Sequence, residues 1–333
     1  MTALAWIAGR ETARDAAIAA IAERLVASAN PLIAGLATDI AGAEAAHDLA
    51  RHVGAVLDHR DSPTLLADLD AMRSHGWLVT TPLEARAMAD CVVLVGTAAA
   101  DFPLSPPPFA PERARRVFRL TDETIPRTLG LLRATLAGRR ITVPDDLAAI
   151  AQALRAARYA VIAWSAAELP PLAIEMLCHI IEDLNETTRC FGLPTPPPGN
   201  ASGVAQALAW KSGLPTRIGF ARGRPEHDPW RFDAARMIAA RETDCVLWIG
   251  DGAPLVPAGM FLAALAPDDL GPGQAEIVIR TATPGRDSDA ILFDPMIGAL
   301  RFQRATAPQS ALSPPAAILD AIAARCDRAV AAC

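Results

Sequence analysis

Lysine is almost absent: Lys211 is the one lysine in 333 residues, so nearly all positive charge is carried by arginine. That skew and the abundance of alanine suit a GC-rich coding sequence as well as any function. Where arginines do gather, their planar fork of donors suits carboxylates. Paired cysteines are absent too. Cys91, Cys178, Cys190, Cys245, Cys326 and Cys333 are scattered, with no C-x-x-C pair, and read as buried thiols in a reducing cytoplasm. The longest apolar runs, such as Cys91 to Val95, are of strand length, so no membrane span is expected. The N-terminal MTALAWIAGRETARD turns polar too early for a secretory signal. The net charge of −6 shows no basic excess of the kind nucleic acid selects. A composition 52% apolar and 20% charged describes a soluble globular chain rather than a disordered one.

Catalytic signatures are equally scarce. The histidines at 47, 52, 59, 75, 179 and 227 form no H-x-x-x-H or H-E-x-x-H pair. His47 and His52, five apart, fall on different helix faces, and metal binding needs ligands that converge. There is no G-x-S-x-G, no P-loop and no full G-x-G-x-x-G. Cys91 and Cys245 lie in apolar, strand-like runs, where a thiol is usually inert packing.

What the chain does have is alternation. Ala, Ile, Leu and Val recur at helical spacing over 12–28. Asn30-Pro31 ends that helix, because proline lacks an N–H and restrains the residue before it. A buried strand at 32–36, a helix over 42–53 and a strand at 54–58 follow; strand, helix, strand in so few residues is the unit of a parallel sheet. The pattern predicts helices over 64–74, 82–88, 147–157 and 171–188, with strands at 90–96, 117–120 and 159–164. It places loops at the Pro-rich DFPLSPPPFAPE and at Gly192 to Asn200. Beyond these it predicts helices over 201–210 and 232–240, strands at 245–250 and 276–280, and a C-terminal helix over 314–332. The class is α/β, with parallel strands buried on both faces.

Two strands end alike, AD-CVVLVGT and TD-CVLWIGD. Ligands of open parallel sheets bind beyond the C-terminal strand ends, and glycine lets backbone approach a phosphate closely. Gly96, Thr97, Gly250 and Asp251 are therefore the candidate nucleotide loops, although many strands end in glycine only to turn. A second cluster, Lys211 with Arg217, Arg222 and Arg224 in AWKSGLPTRIGFARGRP, reads equally as an anion site or as a solvated charged loop.

Several segments together resemble the molybdopterin oxidoreductases. They are NPLIAGLATDIAGAEAAHDLARHVGAVLDH, ADCVVLVGTAAADFP, LNETTRCFGLP, the stretch from Asn200 to Pro254, and AEIVIRTATPGRDSDAILFDPMIGALRF. In order and spacing they are most similar to the B subunit of formylmethanofuran dehydrogenase. The resemblance spans nearly all of the chain. It implies two Rossmann-like αβα domains, one formed by 1–59 plus 200–333 and one inserted at 60–199, without iron–sulfur or C-terminal barrel modules. Composition alone would cut near Gly138 to Asp145.

The departures carry the functional reading. The family's cluster of iron–sulfur cysteines has no counterpart here. Its Cys or selenocysteine metal ligand falls where this chain reads His59-Arg60-Asp61-Ser62-Pro63. Its Gly-x-Asn-Pro turn reads Gly96-Thr97-Ala98-Ala99, and Asp251 is followed by Gly252 rather than Pro. Without cluster and thiolate, electrons cannot arrive and the metal cannot be held as in the family. The resemblance thus points to the redox-free branch found in bacterial formyltransferase/hydrolase complexes. It implies a non-catalytic subunit with no cofactor of its own. Its expected partners are a formyltransferase subunit, a zinc amidohydrolase subunit and a β-helix C subunit, which together convert formyl-tetrahydromethanopterin to formate through a methanofuran-like carrier. The loop with Lys211, Arg217, Arg222 and Arg224 suits a polyglutamylated carrier by carboxylate pairing. The alternative is a catalytic molybdenum or tungsten formylmethanofuran dehydrogenase subunit that still uses Gly96 and Gly250.

Overall fold

The structure is a computed structural model that describes residues 4–97, 99, 115–121, 124–267, 274–309 and 311–331. It divides into two compact units: Met1–Ser62 with Pro198–Phe293 and Leu300–Cys333, and Pro63–Pro197 with Asp294–Ala299.

The first unit is built on a nine-stranded sheet. Its centre is parallel, from Val56–Leu57 through Pro31–Ala34, Cys245–Ile249 and Phe261–Ala266 to Ile277–Arg280. Antiparallel strands extend it on both sides, Ala5–Ile7 and Arg10–Glu11 at one end, Ile218–Gly219 and Glu226–His227 at the other. Strand side chains alternate between faces. One set, including Ile33, Leu247, Ala263 and Ile279, packs under Arg14–Ala27, Ile40–Val53, Ala201–Ser212 and Pro315–Ala331. The other set, Leu32, Val246, Leu262 and Val278 among it, meets Met237 and Ile238 of the short helix Ala234–Ala239. Ile40–Val53 starts where the Asp39 carboxylate accepts the Gly42 N–H, a side-chain N-cap.

The second unit holds four parallel strands in the order Arg116–Leu120, Cys91–Val95, Ala160–Trp164, Cys190–Pro194. Cys91, Val93, Ile162 and Trp164 pack against the helices Ile125–Leu136, Asp145–Ala156 and Pro171–Asn185. Val92, Leu94 and Val161 face the other way, towards Ala85 and Ala89 at Pro82–Met88. Both sheets are covered on two faces, which is why their strands read as near-continuous apolar runs.

Several sequence expectations change, the short strands Ala5–Ile7, Arg10–Glu11, Ile218–Gly219, Glu226–His227, Ala290–Asp294 and Ala299–Gln303 being unpredicted. Cys190–Pro194 is a strand, not part of a loop. Phe261–Ala266 and Ile125–Leu136 are a strand and a helix that the pattern did not predict. The Pro-rich loop falls outside the described residues.

Candidate functional site

The predicted loops at 250–251 and 96–97 lie in different units. In the first unit, Gly250 (φ +107°) follows Ile249 and turns tightly against the chain leaving the neighbouring strand; a Cβ here would lie 2.6 Å from Ala37 Cβ. Asp251 does not face outward unpaired. Its carboxylate takes Arg60 Nη1 at 2.5 Å, and its carbonyl accepts from Trp248 Nε1 at 2.9 Å.

Arg60 belongs to the stretch where the resembled family carries its metal thiolate. Its neighbour His59 is equally committed. His59 Nδ1 accepts the Asp61 N–H at 3.0 Å, so Nε2 carries the proton and donates to Gly199 O at 3.1 Å. Burial holds its pKa below the usual histidine value. Asp58, just before it, accepts from Ser62 Oγ at 2.6 Å and from the Ala234 N–H at 2.9 Å. Burial pushes the Asp58 carboxyl up to about 7, against the opposing pull of those donors and of Arg217, whose Nε lies 3.7 Å away.

A cleft of about 340 Å³ remains at these strand ends, bounded by Thr38, Asn200, Asp251, Thr283 and Arg286 among others. That lies at the low end of the ~300–1,000 Å³ typical of ligand pockets. Asn200 clamps one wall: its Nδ2 donates to Thr38 O and its Oδ1 accepts from the Phe293 N–H, both at 2.8 Å.

In the second unit the Gly96–Thr97 turn is filled by the protein itself. The Thr97 N–H and Oγ1–H donate to the Glu168 carboxylate at 2.7 and 2.6 Å. A Cβ on Gly96 would sit 2.5 Å from Glu168 Oε2. Glu168 thus takes the backbone and hydroxyl donors that a phosphate would use. Ala98 lies outside the described residues.

These residues do not fit a metal-pterin nucleotide. The thiolate stretch holds a neutral imidazole turned to backbone and a guanidinium bound to Asp251, and the second turn is occupied by Glu168. Among the described residues, no three His, Cys, Asp or Glu side chains are placed to hold a metal ion. Cys91 and Cys245 are packed inside strands, and burial pushes their thiols up to about 11 and about 12.

The structure separates the four basic candidates. Lys211 pairs with Asp48 at 2.9 Å. Arg217 is buried, bonding Asp233 and the Pro229 carbonyl. It is an internal clamp, because a guanidinium held between two carboxylates inside the fold is not presented to a ligand. Arg222 and Arg224 are exposed and share Glu226 at 3.4 and 3.5 Å. The closing roles of Arg60 and Glu168 were not legible: no local motif marks a side chain whose partner lies 191 or 71 residues away.

The chain is a large α/β protein built on parallel sheets, and both of its strand-end turns are tied up by its own side chains. No protein-family model matches it. It is 34% identical to the B subunit of the formyltransferase/hydrolase complex Fhc from Methylorubrum extorquens strain AM1, over 91% of this chain and 92% of that protein. It matches a chain of the crystal structure of the formyltransferase/hydrolase complex (FhcABCD) from Methylorubrum extorquens in complex with methylofuran. The TM-score is 0.87 at 30% identity, covering 98% of this chain and 99% of that one. The chain belongs to the family of Fhc B subunits.

Proposed function

We propose that the chain is a non-catalytic structural subunit of a formyltransferase/hydrolase complex. Its partners are a formyltransferase subunit, a zinc amidohydrolase subunit and a β-helix C subunit. The complex passes formyl from formyl-tetrahydromethanopterin to a methanofuran-like carrier and releases formate. The two units are read as Rossmann-like domains of molybdopterin-oxidoreductase type, with 60–199 inserted into the other. The chain itself holds no cofactor on this reading.

The observation that carries the proposal is the self-occupation of both turns, by Arg60 on Asp251 and by Glu168 on Thr97. A chain selected to bind a dinucleotide there would leave those donors and that carboxylate for the ligand. The carrier-facing role falls to Arg222 and Arg224, whose guanidiniums remain exposed and suit carboxylates.

The test is elemental analysis of the natively purified complex for tungsten, molybdenum, iron and zinc, with pterin release assayed on the same sample. Zinc without the other three metals or pterin is expected. Stoichiometric molybdenum or tungsten with pterin would establish the dehydrogenase reading instead.

A further inference from the structure

The four strands of the second unit begin in line, with Arg116, Cys91, Ala160 and Cys190 as register partners across the parallel sheet. Residues just before these strands therefore share one edge. Arg158 precedes Ala160 by two positions, and Arg189 precedes Cys190 by one. Three strand spacings of ~4.8 Å place Arg116 and Arg189 roughly 14 Å apart along that edge.

The helices Ile125–Leu136 and Asp145–Ala156 end together. Arg155 Nη2 donates to Thr135 O and Leu136 O at 2.8 and 2.6 Å. Since Asp145–Ala156 leads directly into the strand at Ala160, both helix ends lie at the same edge, and Arg139 and Arg140 follow the first of them.

Arg116, Arg139, Arg140, Arg158 and Arg189 are all exposed, and none has a carboxylate partner for its guanidinium among the described residues. Few acids share the edge. Asp90 keeps its charge while its carboxylate accepts the Arg158 and Tyr159 N–H groups at 2.9 and 3.2 Å, and Asp183 pairs with Arg133 at 2.7 Å; Asp90 and Glu186, at the end of Pro171–Asn185, stand against five arginines.

The helix macrodipole favours cations in a last turn, and that accounts for Arg133 and Arg155. It does not account for Arg116, which lies in a strand with its guanidinium 5.3 Å from the Phe118 ring centroid, or for Arg158 and Arg189 at strand entries. Unpaired like charges along one edge repel, so their retention calls for an external partner.

We infer that this edge is a docking surface for a carboxylate-rich segment of another polypeptide. Guanidinium forks spaced along a rigid sheet edge match side-chain carboxylates in geometry as well as charge. A long nucleic acid fits less well, because the chain as a whole carries a net charge of −6 and would repel a polyanion beyond this edge. The inference rests on the proposed complex-subunit reading only in supposing that a protein partner exists.

The test titrates the full chain with a labelled peptide of alternating Glu and Asp, read by fluorescence anisotropy at low and moderate salt. Saturable, salt-weakened binding is expected. It should fall roughly tenfold or more in the triple variant Arg116→Glu, Arg158→Glu, Arg189→Glu. The first-unit variant Arg10→Glu, Arg51→Glu, Arg304→Glu, with the same change in net charge, should bind like the parent. The second-unit variant should melt no lower than the parent, since its three guanidiniums have no internal carboxylate partner. The inference is overturned by absence of peptide binding, by equal losses in the two variants, or by tighter binding of a DNA duplex or anionic phospholipid vesicles at the same edge. None of these outcomes would alter the metal analysis, so the two readings fail separately.

Discussion

The first unit buries Asp39, His47, Asp58, His59, Arg217 and Asp287; among the described residues, the buried polar side chains of the second carry only hydroxyl groups, those of Thr80, Tyr159, Ser165 and Thr195. Asp68, an enclosed carboxyl of the second unit, meets Trp164 Nε1 at 3.0 Å and is pushed by burial up to about 6. Both sheets are packed on two faces by apolar side chains, so the difference does not arise from the α/β plan. It arises at the strand ends. In the first unit, polar groups at the strand ends are turned inward, Asp58 with Arg217 and His59 with Gly199, while the pair of Arg60 and Asp251 closes the turn nearer the surface. In the second unit, Asp68 apart, no charged side chain among the described residues is pushed into the interior, and an exposed glutamate closes the turn. One fold plan can therefore take up ligand-binding positions as internal ties in one place and as a surface clasp in another.

The sharpest way to break that contrast is to remove a cation from each unit. Arg217→Ala would leave Asp58 and Asp233 facing each other without their shared cation, and a broken buried pair costs about 3–5 kcal/mol. Arg133→Ala removes a pair with Asp183 whose side chains are 40% and 43% exposed, for which under about 1 kcal/mol is expected. Urea unfolding followed by circular dichroism measures both. Equal losses would mean that the buried cluster contributes no more than a surface pair, and the distinction between the units would collapse.

Much of this architecture was legible, and the exceptions have identifiable causes. Pro82–Met88 was placed to the residue, because Thr81 caps it and Pro82 suits a first helical position. Cys91–Val95, Ala160–Trp164 and Cys245–Ile249 were visible as fully buried β-branched or apolar runs. Cys190–Pro194 was hidden by its breakers. Gly192 is there because a Cβ would fall 2.7 Å from the Trp164 ring, and Pro194 closes an edge strand where no ladder N–H is needed. Ile125–Leu136 carries Pro126 and Gly130, which mask the spacing of Leu129 and Leu132. At the site, the sequence pointed to the turns at 96–97 and 250–251 but not to what fills them, since ties across the chain leave no local pattern. Arg217 looked like its loop neighbours Arg222 and Arg224; only its left-handed backbone (φ 52°) and its burial set it apart.

The pH response should also divide by unit. Asp58 is raised to about 7 by burial, above its unfolded value of ~3.9. Its contribution is therefore fully present below about pH 4 and is lost as pH rises through about 7. His47 and His59 are shifted the other way, chiefly by burial. Theirs is present above about 6.5 and is lost as pH falls through their depressed values. Between about pH 6.5 and 7.5 the Asp58 contribution should fall by on the order of 1 kcal/mol, while the unfolded histidines and Asp68, raised to about 6, titrate alike with and without Asp58. The stability of the parent should therefore fall across that interval relative to that of Asp58→Asn. Thermal melts of the two proteins across that interval decide it. A drop retained in the variant would place the titrating group elsewhere.

The smallest expected effect tests the clasp of the second unit. Glu168→Ala removes the acceptor of both Thr97 donors. Because this turn is exposed, water replaces the carboxylate, and the loss should be about 0.5–1.5 kcal/mol. Glu168→Gln keeps one oxygen for Thr97 and should lose less. The corresponding cut in the first unit, Arg60→Ala, strips the cation from Asp251, whose side chain is 63% exposed, and should fall in the same range. Amide hydrogen exchange at Thr97 distinguishes local release from general softening. Faster exchange confined to the Gly96–Thr97 turn in Glu168→Ala would fix the glutamate as a local clasp. Faster exchange throughout Cys91–Val95 would mean that Glu168 supports the central strand itself, and the second unit would then depend on its strand-end polar contacts as the first does.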